Sequence, residues 1–482
     1  MRALKTGSVD MKRAFTGLAL AVAVGVGACN FEITNPNSPA PIGPNATPDQ
    51  VKAAAVGTLV AVRVDVPRWV LAGAILGREG YRLDTADPRF TTELLHGPLD
   101  PSNDAFGGGQ WAAEYRAIQS GYQILNVIGS AQIAAGERNG VRGFVHTIQA
   151  VAFLMVLNAH TQDSIPVDVN RTVSQPLAPL VSNDSAYKFV IGLLDSARTE
   201  LLAATAFPFD PGPGFTGFNT PATFLTFNRG LAARVWTYRA SPGAPGVNCA
   251  ACRDSAATAL AASFLDPTGS MDLGVFHVFS TGNQDAPNSL SQSPASAINL
   301  VHPFIKASAE TQNASTLLDK RFLAKVTDRK SATATVPDTF ALACLKSALA
   351  WIRYPSPNAT IPIIRNEELI LLDAEAQWFK AAPNKVQAVA DLNLIRQASG
   401  GLAPTTVTTG SPDAAFLDEL LTQRLYSLMY EGGHRWIDMR RYGRLSQVII
   451  DRPTGCAATK DTVSDRVFAS LPINSFEVEA RK

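Results

Sequence analysis

The 482-residue chain contains no run of lysine and arginine, and its 42 basic residues are offset by 41 acidic ones to a net charge of +1. A partner held by phosphate contacts, DNA or RNA, is therefore excluded. The six histidines include no HExxH and no two that lie four apart, so a helical zinc-protease site is absent. Neither G-x-S-x-G nor a P-loop occurs, which removes the nucleophile elbow of the α/β-hydrolases and the common phosphate cradle. Charge is sparse, at 17% of residues, while 46% are apolar and 35 Gly and 31 Pro are present. Such a composition describes a globular body with long irregular loops, large enough for two or three cores.

The N-terminus carries an address. Lys12 and Arg13 precede the apolar stretch AFTGLALAVAVGVGA, which is too short to span a bilayer as a helix and has the length of a signal peptide. Met11 offers a second start that keeps every feature of the signal. The stretch ends in Val26-Gly27-Ala28-Cys29, which resembles a bacterial lipobox, with residues 1–28 cleaved and the Cys29 thiol acylated. Several acyl chains on one residue anchor stably, at about 0.8 kcal/mol per buried methylene. Residues 29–46, rich in Pro and Asn, then form a tether to a body spanning 47–482.

In that body, Thr47 and Pro48 read as the cap and first position of a helix with Val51, Ala54, Ala55 and Leu59 on one face. Trp111, Tyr115, Ile118, Tyr122 and Leu125 mark a long amphipathic helix, and VRGFVHTIQAVAFLMVLNAH, apolar from Val141 to Met155, packs back on it. The pairing recurs at NDSAYKFVIGLLDSARTELLAA with PATFLTFNRGLAARVWTYRA, and at RNEELILLDAEAQWFKAA with NKVQAVADLNLIRQASG. Gly230, Ala232, Ala233, Ala374, Ala376, Ala388 and Ala390 are small enough for close helix contact. The expectation is an all-α fold, a tetratricopeptide-like superhelix of helical hairpins without a strict repeat. Residues 207–220 break the rhythm, and so does a loop-rich insertion at about 265–361, where a binding function is expected.

Several motifs invite chemistry and fail on context. GPGFTG at 212–217 satisfies G-x-G-x-x-G, but prolines surround it and no strand leads into it, so it is no dinucleotide site. Glu367, Glu368 and Glu375 share one helix, and at that spacing they read as solvated or paired with an arginine such as Arg365 rather than as a glycosidase pair. Cys249 and Cys252 form a CxxC for which redox or metal use competes with disulfide bonding. With Cys344 and Cys456, in an oxidising compartment, a CxxC loop and one long bridge are the preferred use among three connectivities. No cofactor or metal site is expected.

One run near the C-terminus, QRLYSLMYEGGHRWIDMRRYG, resembles the E-R-x-x-E-L-x-x-E-G-x-R-W-x-D-L-R-R signature of the SusD/RagB family of outer-membrane nutrient-binding lipoproteins. Arg424, Leu428, Glu431, Gly432, Arg435, Trp436, Asp438, Arg440 and Arg441 fit it, whereas Gln423 and Ser427 replace two acidic positions and Gly433-His434 lengthens the turn. CNFEITNPN, QWAAEYRAIQSGYQILN, FNRGLAARVWTY, IPIIRNEELILLDAEA, LNLIRQASG and LPINSFEVE resemble further family segments in the family's order, the last as a strand-like tail. Gln162-Asp163-Ser164-Ile165-Pro166 departs from the family's Gly-Asp-Val-Pro turn.

The resemblance implies a binding protein, not an enzyme, that sits at the cell surface as a lid on a SusC-like TonB-dependent transporter and delivers oligosaccharide to it. Peptide or another nutrient is the alternative cargo, and a secreted hydrolase is the rival class. Sugar capture needs aromatic faces beside polar groups. Tyr81, Arg82, Asp84, Asp87, Arg89 and Phe90 in one stretch, with Trp351 and Tyr354 in another, are the candidates; Trp111 and Trp436 read as core. The signature itself reads as a fastening: a helix from Ala414 to Glu431 stops at Gly432, and Arg435 and Arg440 fold back toward Glu431 and the freed carbonyls.

Overall fold

Thr47 caps the first helix as its sequence predicts. Its hydroxyl accepts from the Gln50 amide at 3.3 Å and the Gln50 side chain accepts from the Thr47 amide at 2.9 Å, which closes a capping box. The computed structural model describes residues 42–161, 163–172, 174–241, 243, 249–282, 285–451 and 467–482. The signal stretch, Cys29, the tether up to 41 and Cys456 lie outside them. Residues Gly43–Lys482 form one unit.

Eleven helices of eight residues or more occur among the described residues: α1 Pro48–Arg63, α2 Val66–Leu76, α3 Ala112–Val127, α4 Ala135–Ala159, α5 Asn183–Leu202, α6 Pro221–Ala240, α7 Ala250–Ala261, α8 Asn366–Phe379, α9 Lys385–Leu394, α10 Asp413–Leu428 and α11 His434–Arg441. With half of the chain in helix and 8% in strand, the protein is mostly helical. From α3 to α9 every helix packs on the next, while α1 covers α3 and α4. This is the continuous stack that the paired periodicities imply.

Close approach within the stack needs small residues. Gly143 of α4 lies against α5, where a Cβ would fall 2.6 Å from Leu201 Cγ and 3.0 Å from the Ala197 carbonyl. Ala232, Ala233, Ala374, Ala376 and Ala388 are buried as expected, but Ala390 faces solvent. Helix α4 is long and apolar enough to cross a membrane, yet 89% of its apolar window is buried in the stack, which makes it a core helix.

Two helices escaped the sequence pattern. Nearly every side chain of α2 is buried, so it shows no apolar stripe against a polar face, and α7 is short and alanine-rich. The 265–361 insertion is also more ordered than its composition implies. It contributes β5 (Asn299–Val301), β6 (Val326–Asp328) and β9 (Leu349–Trp351), which join β1 (Gly80–Arg82) in an antiparallel sheet of order β1-β5-β9-β6. The hairpin strands β7 (Phe340–Leu342) and β8 (Leu345–Ser347) pair with each other, as do β2 (Ile165–Pro166) and β3 (Leu180–Val181).

Strand β4 (Gly274–His277) pairs with β10 (Ile361–Arg365), with a register shift between Pro362 and Ile364. The proline sits at the irregularity, where a missing N–H costs no ladder bond. The tail is not strand-like. It turns into a short helix, Ser475–Ala480, capped by Asn474, whose side chain accepts from the Phe476 amide at 3.0 Å.

Candidate ligand-binding site

The signature run differs from its expected geometry at the turn. Helix α10 ends at Leu428, three residues early, and the left-handed positions are Tyr430 (φ 60°) and Gly433 (φ 69°) rather than Gly432. Gly433 is required twice over, by its φ and by contact with α2, since a Cβ on Gly73 would strike Gly433 Cα. Glu431 is buried and does not meet Arg435. Its carboxylate accepts from Arg365 Nε at 3.0 Å and Arg353 Nε at 2.9 Å and pairs with Lys325 Nζ at 2.9 Å. Burial pushes its pKa up, but these three cations outweigh that and hold it well below the usual range.

Arg435 instead donates to the Gly77 carbonyl at 3.0 Å and lies over the Phe304 ring at 4.7 Å. Arg440 does bind carbonyls, those of Asn158 at 2.6 Å and Ala469 at 2.9 Å. Asp438 takes Arg424 Nε at 2.7 Å and Arg441 Nε at 2.9 Å, and Arg441 continues to Glu375, which also holds Arg253. Trp436 is buried, its indole N–H donating to the Phe468 carbonyl at 2.7 Å. The helical carboxylates are likewise arginine-bound and buried, Glu368 to Arg234 and Glu367 to Arg365. The void beside Glu431 and His434 measures about 60 Å³, room for water and not for a sugar. The run is a fastening that ties α2, α4, α8 and the insertion to α10 and α11.

The two candidate stretches meet on one sheet, because β5 bridges β1 to β9. Their side chains, however, play opposite parts. Trp351 and Tyr354, read from sequence as ring faces for sugar, are only 3% and 2% exposed. Trp351 stacks flat on Tyr430 at 4.4 Å, and the Tyr354 hydroxyl donates to the Tyr430 carbonyl at 2.8 Å. That reading is corrected: both rings support the turn from inside. Tyr81 is also buried, its hydroxyl donating to Asp451 Oδ1 at 2.8 Å.

The remainder of the first stretch reaches the surface. Arg82 donates to Asp84 at 2.9 Å and lies over the Phe90 ring at 4.5 Å, while Arg89 grips Asp87 through two bonds of 2.9 and 2.8 Å and lies over Phe106 at 4.3 Å. The Arg89 bonds lower the Asp87 pKa, and in each pair one guanidinium faces one carboxylate. Phe90 is half-buried and meets Phe106 edge-on at 4.9 Å. Sequence reasoning missed Phe106, which lies outside the stretch, and Asn299, which β5 brings to Arg82. What results is one half-exposed ring between two neutralised ion pairs, a surface that can stack on an apolar face and bond to hydroxyls. An open polar bowl at Thr311–Thr316 and Ala403, about 790 Å³, has hydroxyls and amides but no ring.

Cys249 and Cys252 form a disulfide, and Cys344 is disulfide-bonded too. Among the described residues no three metal-ligating side chains cluster.

The architecture is a stack of helical hairpins that carries a small antiparallel sheet and, beside it, the Phe90 surface. Residues 353–471 match the SusD family model. Solved structures share the fold over most of both chains. A SusD superfamily protein from Bacteroides vulgatus is 14% identical with a TM-score of 0.67, covering 90% of this chain and 97% of its own. One from Parabacteroides distasonis is 17% identical (TM-score 0.64; 89% and 97%), and one from Bacteroides thetaiotaomicron is 16% identical (0.65; 90% and 98%). No curated protein matches. Residues 353–471 therefore resemble the SusD family, and the chain as a whole has the fold of the SusD superfamily proteins.

Proposed function

We propose that the protein captures a neutral oligosaccharide on the Phe90 surface and, anchored through Cys29 in the outer membrane, delivers it to a SusC-like TonB-dependent barrel. The observation that carries the ligand class is the half-exposed Phe90 ring flanked by Arg82–Asp84 and Arg89–Asp87. A ring stacks on the C–H face of a pyranose, carboxylate and guanidinium groups bond its hydroxyls, and the surplus of carboxylates that Glu93 and Asp100 add near Arg89 disfavours an anionic sugar. The SusD-family match over 353–471 and the shared fold support the rest of the role, and the lipobox resemblance at Cys29 supports the anchor.

The test is a glycan array probed with the mature chain, followed by titration of the best ligand. Phe90→Ala is expected to weaken binding about tenfold or more with the melting temperature unchanged. Trp351→Ala should do the reverse, costing about 3–5 kcal/mol of stability because a fully packed indole is removed. Binding of peptides but no glycan would overturn the cargo, and release of sugar from the bound ligand would overturn the binding-only role.

A further inference from the structure

A cavity of about 460 Å³ opens between the second half of α1, the turn at 211–215 and the β4–β10 pair. Its volume falls in the range of small-molecule sites, about 300–1,000 Å³. It shares no residue with the Phe90 surface. Val56, Leu59 and Val60 supply one wall from a single face of α1, and Phe215, Phe276 and Val278 supply the other. Val60 is 45% exposed, an apolar side chain left open to solvent at this site. The turn is shaped to leave the space open. Gly214 sits so close to β4 that a Cβ would strike the Phe276 carbonyl, while Gly212 adopts φ 91° with nothing within 4 Å of where its Cβ would be.

The polar groups are few. Arg63 donates to the Val278 carbonyl and pairs with Asp285, whose side chain remains 27% exposed. His277 also lines the cavity, and burial pushes its pKa down to about 3, so the imidazole is neutral. A pyranose placed here would lose water from several hydroxyls and find one ion pair in return, so most of those hydroxyls would be desolvated without a partner. A flat apolar body incurs no such cost. An ion pair that sums to zero discriminates against a ligand with net charge, which would have to break it.

We propose that this cavity is a second binding site, for a small neutral aromatic molecule whose ring packs against Leu59, Phe215 and Phe276 and whose polar end meets the Arg63–Asp285 pair. The family's nutrient and this ligand then occupy separate places on one chain.

The test uses N-phenyl-1-naphthylamine, a neutral aromatic probe that brightens in apolar surroundings, and the full mature chain kept free of detergent by Cys29→Ala. A saturable signal with one site per chain is expected. Leu59→Trp fills the cavity, and Val60→Trp, at a half-exposed position that α1 tolerates, closes its mouth. Each should weaken the probe at least tenfold while circular dichroism and melting stay those of the parent. An oligosaccharide that binds the Phe90 surface should leave the probe in place. The site is overturned by an unsaturable signal, by undiminished binding in a folded Val60→Trp variant, or by displacement with the oligosaccharide.

Discussion

At the scale of the residue, Glu431 shows how much of this protein is held by buried charge. Arg365, Arg353 and Lys325 all converge on it from the insertion and from β10, and its removal leaves Arg353 and Lys325 without their carboxylate and Arg365 with Glu367 alone. Glu431→Gln is therefore expected to cost about 3–5 kcal/mol, read as a lower denaturation midpoint, with glycan affinity intact wherever the variant is folded. Loss of affinity at full stability would instead make the cluster part of the site. A second buried pair works in the opposite sense. Asp391 on α9 is pushed up to about 8 by burial and by the charge of the Asp373 carboxylate on α8. The unfolded chain releases that proton near pH 4, so the folded form holds it more tightly and the contribution to stability is fully present below about pH 4 and declines as pH rises toward 8. Asp391→Asn keeps an oxygen for the Gln387 side chain to donate to, without the charge. Its melting temperature should therefore rise above that of the parent by a margin that grows between pH 5 and pH 8, and an unchanging margin would show that Asp391 does not titrate in that range.

At the scale of the element, what the sequence reveals depends on how long a pattern runs. Helices α3 to α6 span 16 to 25 residues each, enough for the apolar stripe to repeat, and their boundaries follow from caps such as Thr220 and Ser182. The strands of the β1-β5-β9-β6 sheet are three residues long, too short for alternation to rise above chance, and none pairs with its neighbour in sequence through a tight turn, as Tyr81 opposite Leu300 and Leu300 opposite Ala350 show. That is why Trp351 and Tyr354 looked like surface rings. Nothing local in AWIRYPSPN reports that Tyr430 will stack on Trp351 and accept from Tyr354, whereas the Asp87–Arg89 and Arg82–Asp84 pairs are local and were legible as a group. The same limit explains Glu431, whose three partners sit 66 to 106 positions earlier, so sequence proximity pointed wrongly to Arg435. The left-handed turn at Gly433 was placed one residue off because its need comes from Gly73 on α2, a contact between backbones that leaves no trace in composition.

At the scale of the whole molecule, the helical stack is a rigid frame, and its value to a cell depends on where it is held. A protein that binds sugar with one ring and a few polar bonds pays the ordering cost of the ligand and is left with modest affinity. Modest affinity suffices when the acceptor is adjacent, because holding two partners on one membrane raises the effective concentration of each for the other. In the proposed role a lipid on Cys29 serves transport rather than folding, because the compact unit runs from Gly43 to Lys482. Cys29→Ala is expected to shift the protein from the membrane fraction to the soluble one with its melting temperature and its glycan affinity unchanged, and to abolish growth on the glycan in the cell that makes it. Mild detergent extraction of the parent should bring with it a large β-barrel protein, and the variant should not. A variant that stays in the membrane would remove the anchor, and extraction of the parent without a barrel at any detergent strength would remove the transporter.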